Sequence, residues 1–356
     1  MFVLDSHCDT PSQILRLRDL SLDNDYAHVD FPKLKRGKVD GAFFALYIPA
    51  SFDSDQSSGF DYAMKLLSGV EQAVADNKDK AAFATSRAEA MNNKDHGLFS
   101  VMLGLENGSP IGESLDNLNS FYNKGVRYVT LCHSGNNQIC DSCAPAFGRW
   151  NGLSPFGRDL IREMNRIGML VDVSHVSDAS FYDVLECSTR PVVATHSCCR
   201  ALANHPRNMT DDMIRHLAEA GGVIQINFYP LFIDAGFKSI LSSSGISERG
   251  EVVESEFIAD PSNTVKRTAW NKIQDELMSL KRPSFKIIAD HIDHAVEIAG
   301  IDHVGIGSDF DGIEVTPDGM EDISMMPLLF DELRVRGYGE EDLSKIAGDN
   351  FFRILG

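Results

Sequence analysis

Positive charge is the first thing this chain is short of: 33 Lys and Arg stand against 52 Asp and Glu, a net charge of −19 over 356 residues. A surface of that sign repels phosphate backbones and anionic headgroups, so neither a nucleic acid nor a membrane is expected as a partner. Long apolar runs are missing too, with none approaching the roughly 20 residues of a membrane-spanning helix. With Met1 leading straight into the first β-like segment, no signal peptide and a cytoplasmic location are expected. Cysteines number seven, an odd count, with Cys140 and Cys143 the one CxxC. Amid Gly, Asn and Asp, and with no second such pair, that motif reads as a loop. Cys198 and Cys199 are adjacent and poorly placed for a disulfide. A secreted disulfide framework is therefore excluded and reduced thiols are expected. No glycine-rich phosphate loop follows the first β-like segment, which argues against a dinucleotide fold.

What is present has the composition of a globular enzyme, on a length that supports one large domain. Eight segments read as strands: Phe2–Ser6, Gly41–Ile48, Leu98–Leu105, Arg127–Cys132, Met169–Ser174, Pro191–Thr195, Gly222–Phe228 and His303–Ser308. Amphipathic stretches fall between them at Tyr62–Asp76, Ser114–Lys124, Ser154–Ile167, Ala179–Cys187 and Thr210–Ala220. Phe285–Ala299 and Asp342–Ile354 carry the same helical spacing. This alternation predicts an α/β fold, a (β/α)8 TIM barrel, as a single domain over residues 1–356; a doubly wound open sheet is the competing arrangement. Two stretches break the rhythm. Ala50–Phe60 is rich in Ser, Asp and Gly and reads as a surface loop. Pro230–Pro283, before the last strand, is far longer than an ordinary connection and reads as an insertion over the barrel mouth or at a subunit contact.

In a barrel of this kind the chemistry sits where strands end. His7 and Asp9, Glu106, His175 and His196 each follow such a segment, and so do His133 and Asp309. His7 and Asp9 lie two apart, so on an extended chain they face the same side and Cys8 faces away. Imidazole and carboxylate donors in this mixture suit zinc or a similar divalent ion. Buried ionisable groups are costly unless paired or metallated, which favours a metal centre over five unrelated structural residues. Asp5 reads as a group behind the ligands, and Asp311 as one holding the turn after the last strand. His28, His96, His205, His216, His291, His294 and His303 read as structural. Arg207, beside Asn208 and ahead of Thr210-Asp211-Asp212, reads from its own surroundings as a salt bridge near a helix cap.

The order of these residues, with Leu105-Glu106-Asn107-Gly108, His196-Ser197, Arg207-Asn208 and Gly307-x-Asp309-Phe310-Asp311-Gly312, resembles the membrane dipeptidase (renal dipeptidase) family of binuclear zinc peptidases. The resemblance runs from Asp5 to Gly348-Asp349-Asn350-Phe351. It implies two divalent metal ions, zinc by expectation, one held by His7, Asp9 and Glu106 and the other by Glu106, His175 and His196. It further implies a bridging hydroxide, Asp309 as general base and acid, and His133 as a substrate-binding group that stabilises the oxyanion. Arg207 would hold the free carboxylate of a small dipeptide, with a D-residue accepted at the C-terminal position and a homodimer expected. Cys8 stands where relatives often carry Asn, and the stretch from Cys140 to Trp150 matches loosely, so side-chain preference is where this chain is expected to differ. The competing functions are another binuclear barrel metallohydrolase acting on amides or esters, and a binding protein that has lost catalysis. Many sites of the first kind bridge their metals with a carbamylated lysine, and no strand-end lysine is seen here; the second would have lost a ligand or Asp309.

Overall fold

The structure, a computed structural model, describes residues 1–355. Nine strands are present: β1 Leu4–Cys8, β2 Gly41–Tyr47, β3 Ala81–Phe83, β4 Phe99–Glu106, β5 Val126–Thr130, β6 Leu170–Asp172, β7 Val193–Ser197, β8 Val223–Ile226 and β9 Val304–Ile306. All pair in parallel, in the order β1-β2-β4-β5-β6-β7-β8-β9. The segment after β9 closes the ring on β1: Asp309 N donates to His7 O at 3.0 Å and Asp9 N to Phe310 O at 2.9 Å. This is the expected (β/α)8 barrel. The short β3 was not anticipated; it pairs with the first half of β4, and β5 pairs with the second half.

Side-chain alternation divides two cores. Outward residues such as Phe44, Leu46, Leu103, Leu105, Val129 and Val171 pack with the surrounding helices in one large cluster. Inward residues Phe2, Leu4, Phe43, Met102, Tyr128 and Leu170 fill the barrel, with Phe351 and Phe352 of the C-terminal helix Asn350–Leu355. On β4 this parity turns Gly104 and Glu106 inward. Pairing becomes irregular between Asp5 and Cys8 on β1, and between Ala194 and Ser197 on β7. A bulge of this kind re-aims side chains. It lets Ser6 and His7, and likewise Thr195 and His196, both reach the barrel interior.

Three sequence-based expectations change. The surface loop expected at Ala50–Phe60 is a 3-10 turn, Ala50–Phe52, followed by a helix that already starts at Gln56. Asp55 caps that helix by accepting from Ser58 N, so its polar first turn is where free N–H groups need acceptors. Helices Phe31–Gly37 and Arg87–Asp95 were also unforeseen. The long stretch before β9 is four helices, Pro230–Ile233, Phe237–Ser244, Ile246–Ala259 and Thr264–Met278. Phe237, Ile246, Phe257, Trp270 and Ile273 give it an apolar core of its own, shared with Val315. It leans on the segment after β1 through Arg16–Glu254 (2.8 Å) and Tyr26–Asp275 (3.3 Å). No helix among the described residues is long and apolar enough to cross a membrane.

Candidate active site

Glu106, the last residue of β4, is buried at the centre of a ring of donors. Its Oε2 lies 3.3 Å from His7 Nε2; its Oε1 lies 3.1 Å from His175 Nε2 and 3.3 Å from His196 Nε2. Asp9 Oδ2 is 3.5 Å from His7 Nε2, and His133 Nε2 is 4.0 Å from Glu106 Oε1. The structure thus brings all five expected ligands together with His133 and Asp309. Sets of donor atoms close enough to share an ion are His7-Asp9-Glu106, Glu106-His133-His175 and His7-His196-Asp309. The first matches one expected ligand set. The others join Glu106 and His175 with His133, and His7 and His196 with Asp309.

The residues fit a metal pair. His175 Nε2 and His196 Nε2 face each other at 2.9 Å, a separation that two bare lone pairs tolerate only with a cation or a proton between them. His7 Nε2 and Asp9 Oδ1 are buried without hydrogen-bond partners. The far nitrogens are anchored, as ligating histidines require. His7 Nδ1 meets the Tyr128 hydroxyl at 2.8 Å. His196 Nδ1 meets Thr195 Oγ1 at 2.7 Å, and that hydroxyl donates to Asp172 Oδ2 at 2.6 Å. Because the Thr195 proton goes to Asp172, its lone pair accepts Nδ1–H of His196 and leaves Nε2 bare toward Glu106. Asp172 is itself saturated by Thr130 Oγ1, Ser174 N and Thr195 N.

Electrostatics follow from this crowding. Burial holds His175 and His196 well below the ordinary imidazole range. Burial would do the same to His7, but Glu106 and Asp9 outweigh it and keep His7 well above that range. Glu106 is raised by burial yet ends well below the usual carboxylate range because His7, His175 and His196 surround it. Asp9, buried and facing Glu106, is pushed well up. Asp309 is raised to about 6, by burial first and by Glu106 as well, against His7, Arg207 and Asn227.

Backbone conformation delivers several of these groups. Asn107, His175, Asp309 and Asp311 all have left-handed φ, between 66° and 71°, at or just past the ends of strands. Such strain in non-glycine residues clusters at functional sites. Gly312 has no room for a side chain, since a Cβ there would lie 2.1 Å from Asp9 Oδ2 and 2.8 Å from Asp309 Oδ1. Gly104 likewise yields its space to the Tyr128 ring, 2.1 Å from where its Cβ would be.

Sequence reasoning missed Asn227, Tyr128, Thr195, Asp172 and Tyr47. Asn227, just past β8, donates Nδ2–H to Asp309 Oδ2 at 2.7 Å. Tyr47, the last residue of β2, sets its ring edge-on to His133 at 4.9 Å. A usable signal existed: β2 and β8 were the two strand ends with no assigned residue. Arg207 is not the cap salt bridge that its neighbours implied, because Asp211 pairs with His294 and Asp212 with Arg215. It is buried instead, donating from Nη1 to Ser197 Oγ (2.9 Å) and from Nη2 to His196 O (2.7 Å). Asp5 accepts from His7 N and Ser308 N and takes no place in the cluster. Asp311 accepts from Thr10 Oγ1 and His28 N, and so holds the turn.

Known proteins resemble this chain in sequence and in fold. The whole chain, residues 1–356, matches the family described as membrane dipeptidase (peptidase family M19). Dipeptidase aclJ of Aspergillus oryzae is 31% identical over 352 residues, which cover 97% of this chain and 73% of that protein. An uncharacterized dipeptidase of Schizosaccharomyces pombe is 30% identical over 369 residues, covering 99% and 80%. The crystal structure of the probable dipeptidase PvdM from Pseudomonas aeruginosa aligns with a TM-score of 0.81 at 25% identity, over 100% of this chain and 95% of that one. That of a metallopeptidase named dipeptidase AC aligns at 0.80 and 25%, over 100% and 98%. With its barrel, its ring of donors and these relatives, the chain belongs to the membrane dipeptidase family and is a metallopeptidase.

Proposed function

We propose that the enzyme works with two zinc ions per chain and hydrolyses the peptide bond of small dipeptides, including those with a D-residue at the C-terminal position. The observation that carries this reading is the division of Glu106, one oxygen facing His7 and the other facing His175 and His196. His7, Asp9 and Oε2 would hold one ion; His175, His196 and Oε1 would hold the other. Such ions, when bound, bring the pKa of water toward neutrality and polarise a carbonyl.

The other tasks fall to side chains of the protein. Asp309 takes a proton from the attacking water and returns it to the leaving amine, acting first as general base and then as general acid. Asn227 fixes one oxygen of Asp309, leaving Oδ1 for the exchange. His133 Nε2 donates to the developing oxyanion. The guanidinium of Arg207 is clamped by Ser197 and His196, while its buried Nε has no partner within the protein. Its free N–H groups pair with the substrate's terminal carboxylate. A tripeptide would carry that carboxylate one residue too far. The anchor grips a carboxylate whichever configuration its carbon has, which is why a D-residue is accepted.

Elemental analysis of the purified protein, paired with L,L- and L,D-dipeptides and a tripeptide, tests this. Two equivalents of zinc, cleavage of both dipeptide series and an inert tripeptide are expected. Protein that holds no metal after reconstitution and cleaves no dipeptide would overturn it.

A further inference from the structure

A cavity of about 830 Å³ lies beside the catalytic cluster, within the size range of small-molecule sites, and none of the chemistry above uses it. Ser12, Arg16, Arg18, Tyr47 and Lys65 line it, together with Ile258 of the insertion. Two of these residues adjoin residues of the reaction centre. Tyr47 packs on His133, and Ser12 N donates to Asp9 O at 2.9 Å.

Its position around the barrel gives the direction of a substrate. Arg207 follows β7 and Tyr47 ends β2, and these strands are four places apart in a ring of eight. They are therefore on opposite sides of the mouth. A dipeptide whose carboxylate sits on Arg207, as proposed above, points its N-terminal residue across the cluster toward Tyr47 and this cavity.

The wall carries charges of both signs, and one of its cations lacks a partner. Arg16 is paired with Glu254 at 2.8 Å, and Asp19 and Asp76 also line the space. Arg18 has no ion pair among the described residues, and its buried Nε has no acceptor. Ser12 Oγ, on the same lining, is likewise buried without a partner. Burial first, then Arg267 and Arg16, pull the Arg18 guanidinium down against the opposing charge of Asp311, so the cation is incompletely compensated. Between the two arginines, Leu17 is held left-handed (φ 63°) where a helix end usually has glycine, and it stays 59% exposed. Strain without burial in return is a mark of function, and here the turn sets Arg16 and Arg18 on one cavity.

We propose that this cavity receives the side chain of the substrate's N-terminal residue and selects an acidic one, glutamate or longer, whose carboxylate pairs with Arg18. The methylenes of that side chain lie against Leu15 and Tyr62, which line the same space. This proposal rests on the dipeptidase reading of the site.

The test compares Glu-Ala, Gln-Ala and Leu-Ala on zinc-reconstituted enzyme. One arginine–carboxylate pair predicts kcat/KM about tenfold higher for Glu-Ala than for its isosteric amide, mostly through KM. Arg18→Gln should bring that ratio to about one, and Arg18→Lys should retain part of it, so a general folding defect is distinguishable from loss of selection. A ratio near one in the natural enzyme, or one unchanged by Arg18→Gln, overturns the proposal; cleavage of Leu-Ala would leave the dipeptidase reading standing. If no dipeptide is cleaved, calorimetric binding of Glu-Ala against Gln-Ala still decides. Tighter binding of Glu-Ala that Arg18→Gln abolishes keeps the acidic subsite while the dipeptidase reading falls; equal binding removes both.

Discussion

The inward positions of the barrel carry opposite chemistry at its two ends. Near the start of the strands, Phe2, Leu4, Phe43, Met102 and Leu170 meet Phe351 and Phe352 from the C-terminal helix in an apolar plug. Near their ends, the same strands present His7, Glu106, Thr130, Asp172 and His196, all buried. Tyr128 divides the layers: its ring packs on Phe43 with centroids 5.2 Å apart, and its hydroxyl meets His7. The lower layer gains stability from burial, whereas the upper layer costs stability and is held in place by hydrogen bonds and by the strands beneath it. A change in one layer should therefore register in a different measurement from a change in the other.

The largest effect expected comes from Glu106→Gln, which removes the charge shared by both donor groups. Metal content should fall and dipeptide cleavage drop to background, while the chain still folds by circular dichroism; a fully active, metal-loaded variant would show that Glu106 is not the shared ligand. Phe43→Ala makes the opposite break. It opens a cavity in the lower layer and should cost about 3–5 kcal/mol in denaturant unfolding, with metal bound per folded chain unchanged.

Asp309→Asn separates the layers by pH. Activity of the natural enzyme should fall at low pH as the base becomes protonated, and the variant should keep its metal and lose most turnover at every pH. Stability of the metal-free protein runs the other way. Asp309 binds its proton more tightly folded than unfolded, so its ionisation destabilises the fold as pH rises from the ordinary value of 3.8 to about 6. The variant should accordingly match the natural protein below pH 4 and exceed it by about 3 kcal/mol at pH 7. Urea titrations of both at several pH values would measure the difference, and a gap that stays constant with pH would contradict it.

What the sequence made legible follows the same division. His7, Glu106, His175, His196 and Asp309 stand out because each is a polar donor at the edge of an apolar run, and the barrel follows from the alternation of those runs with amphipathic ones. The supports were hidden because they look like ordinary strand residues: Tyr128 and Thr195 are common β-formers, and nothing local says that Thr195 passes its proton to Asp172. The bulges at Ser6–His7 and Thr195–His196 leave no compositional trace, so strand periodicity alone does not say that Asp5 turns to the Ser308 backbone. Helix Arg87–Asp95 has too few apolar residues to show a period; its one signal was Ser86, whose side chain accepts from Glu89 N. The insertion's helices carry apolar residues, but one wall of their core, Val315, comes from beyond β9.

Tyr128→Phe is the smallest change and tests the boundary itself. Phenylalanine preserves the ring that packs on Phe43 and fits over Gly104, so the lower layer should be nearly unaffected, with a stability loss of about 1 kcal/mol for one hydrogen bond. Above it, His7 Nδ1 loses its 2.8 Å partner and keeps only Thr195 Oγ1 at 3.5 Å. Loss of such an anchor weakens metal binding by about tenfold or somewhat more, because the ring is less firmly held in the tautomer that offers Nε2. Competition with a chelator should show that weakening while unfolding of the metal-free protein hardly changes. If unfolding suffers as much as in Phe43→Ala and the metal holds as tightly as before, Tyr128 belongs wholly to the lower layer and the orientation of His7 comes from the β1 bulge alone.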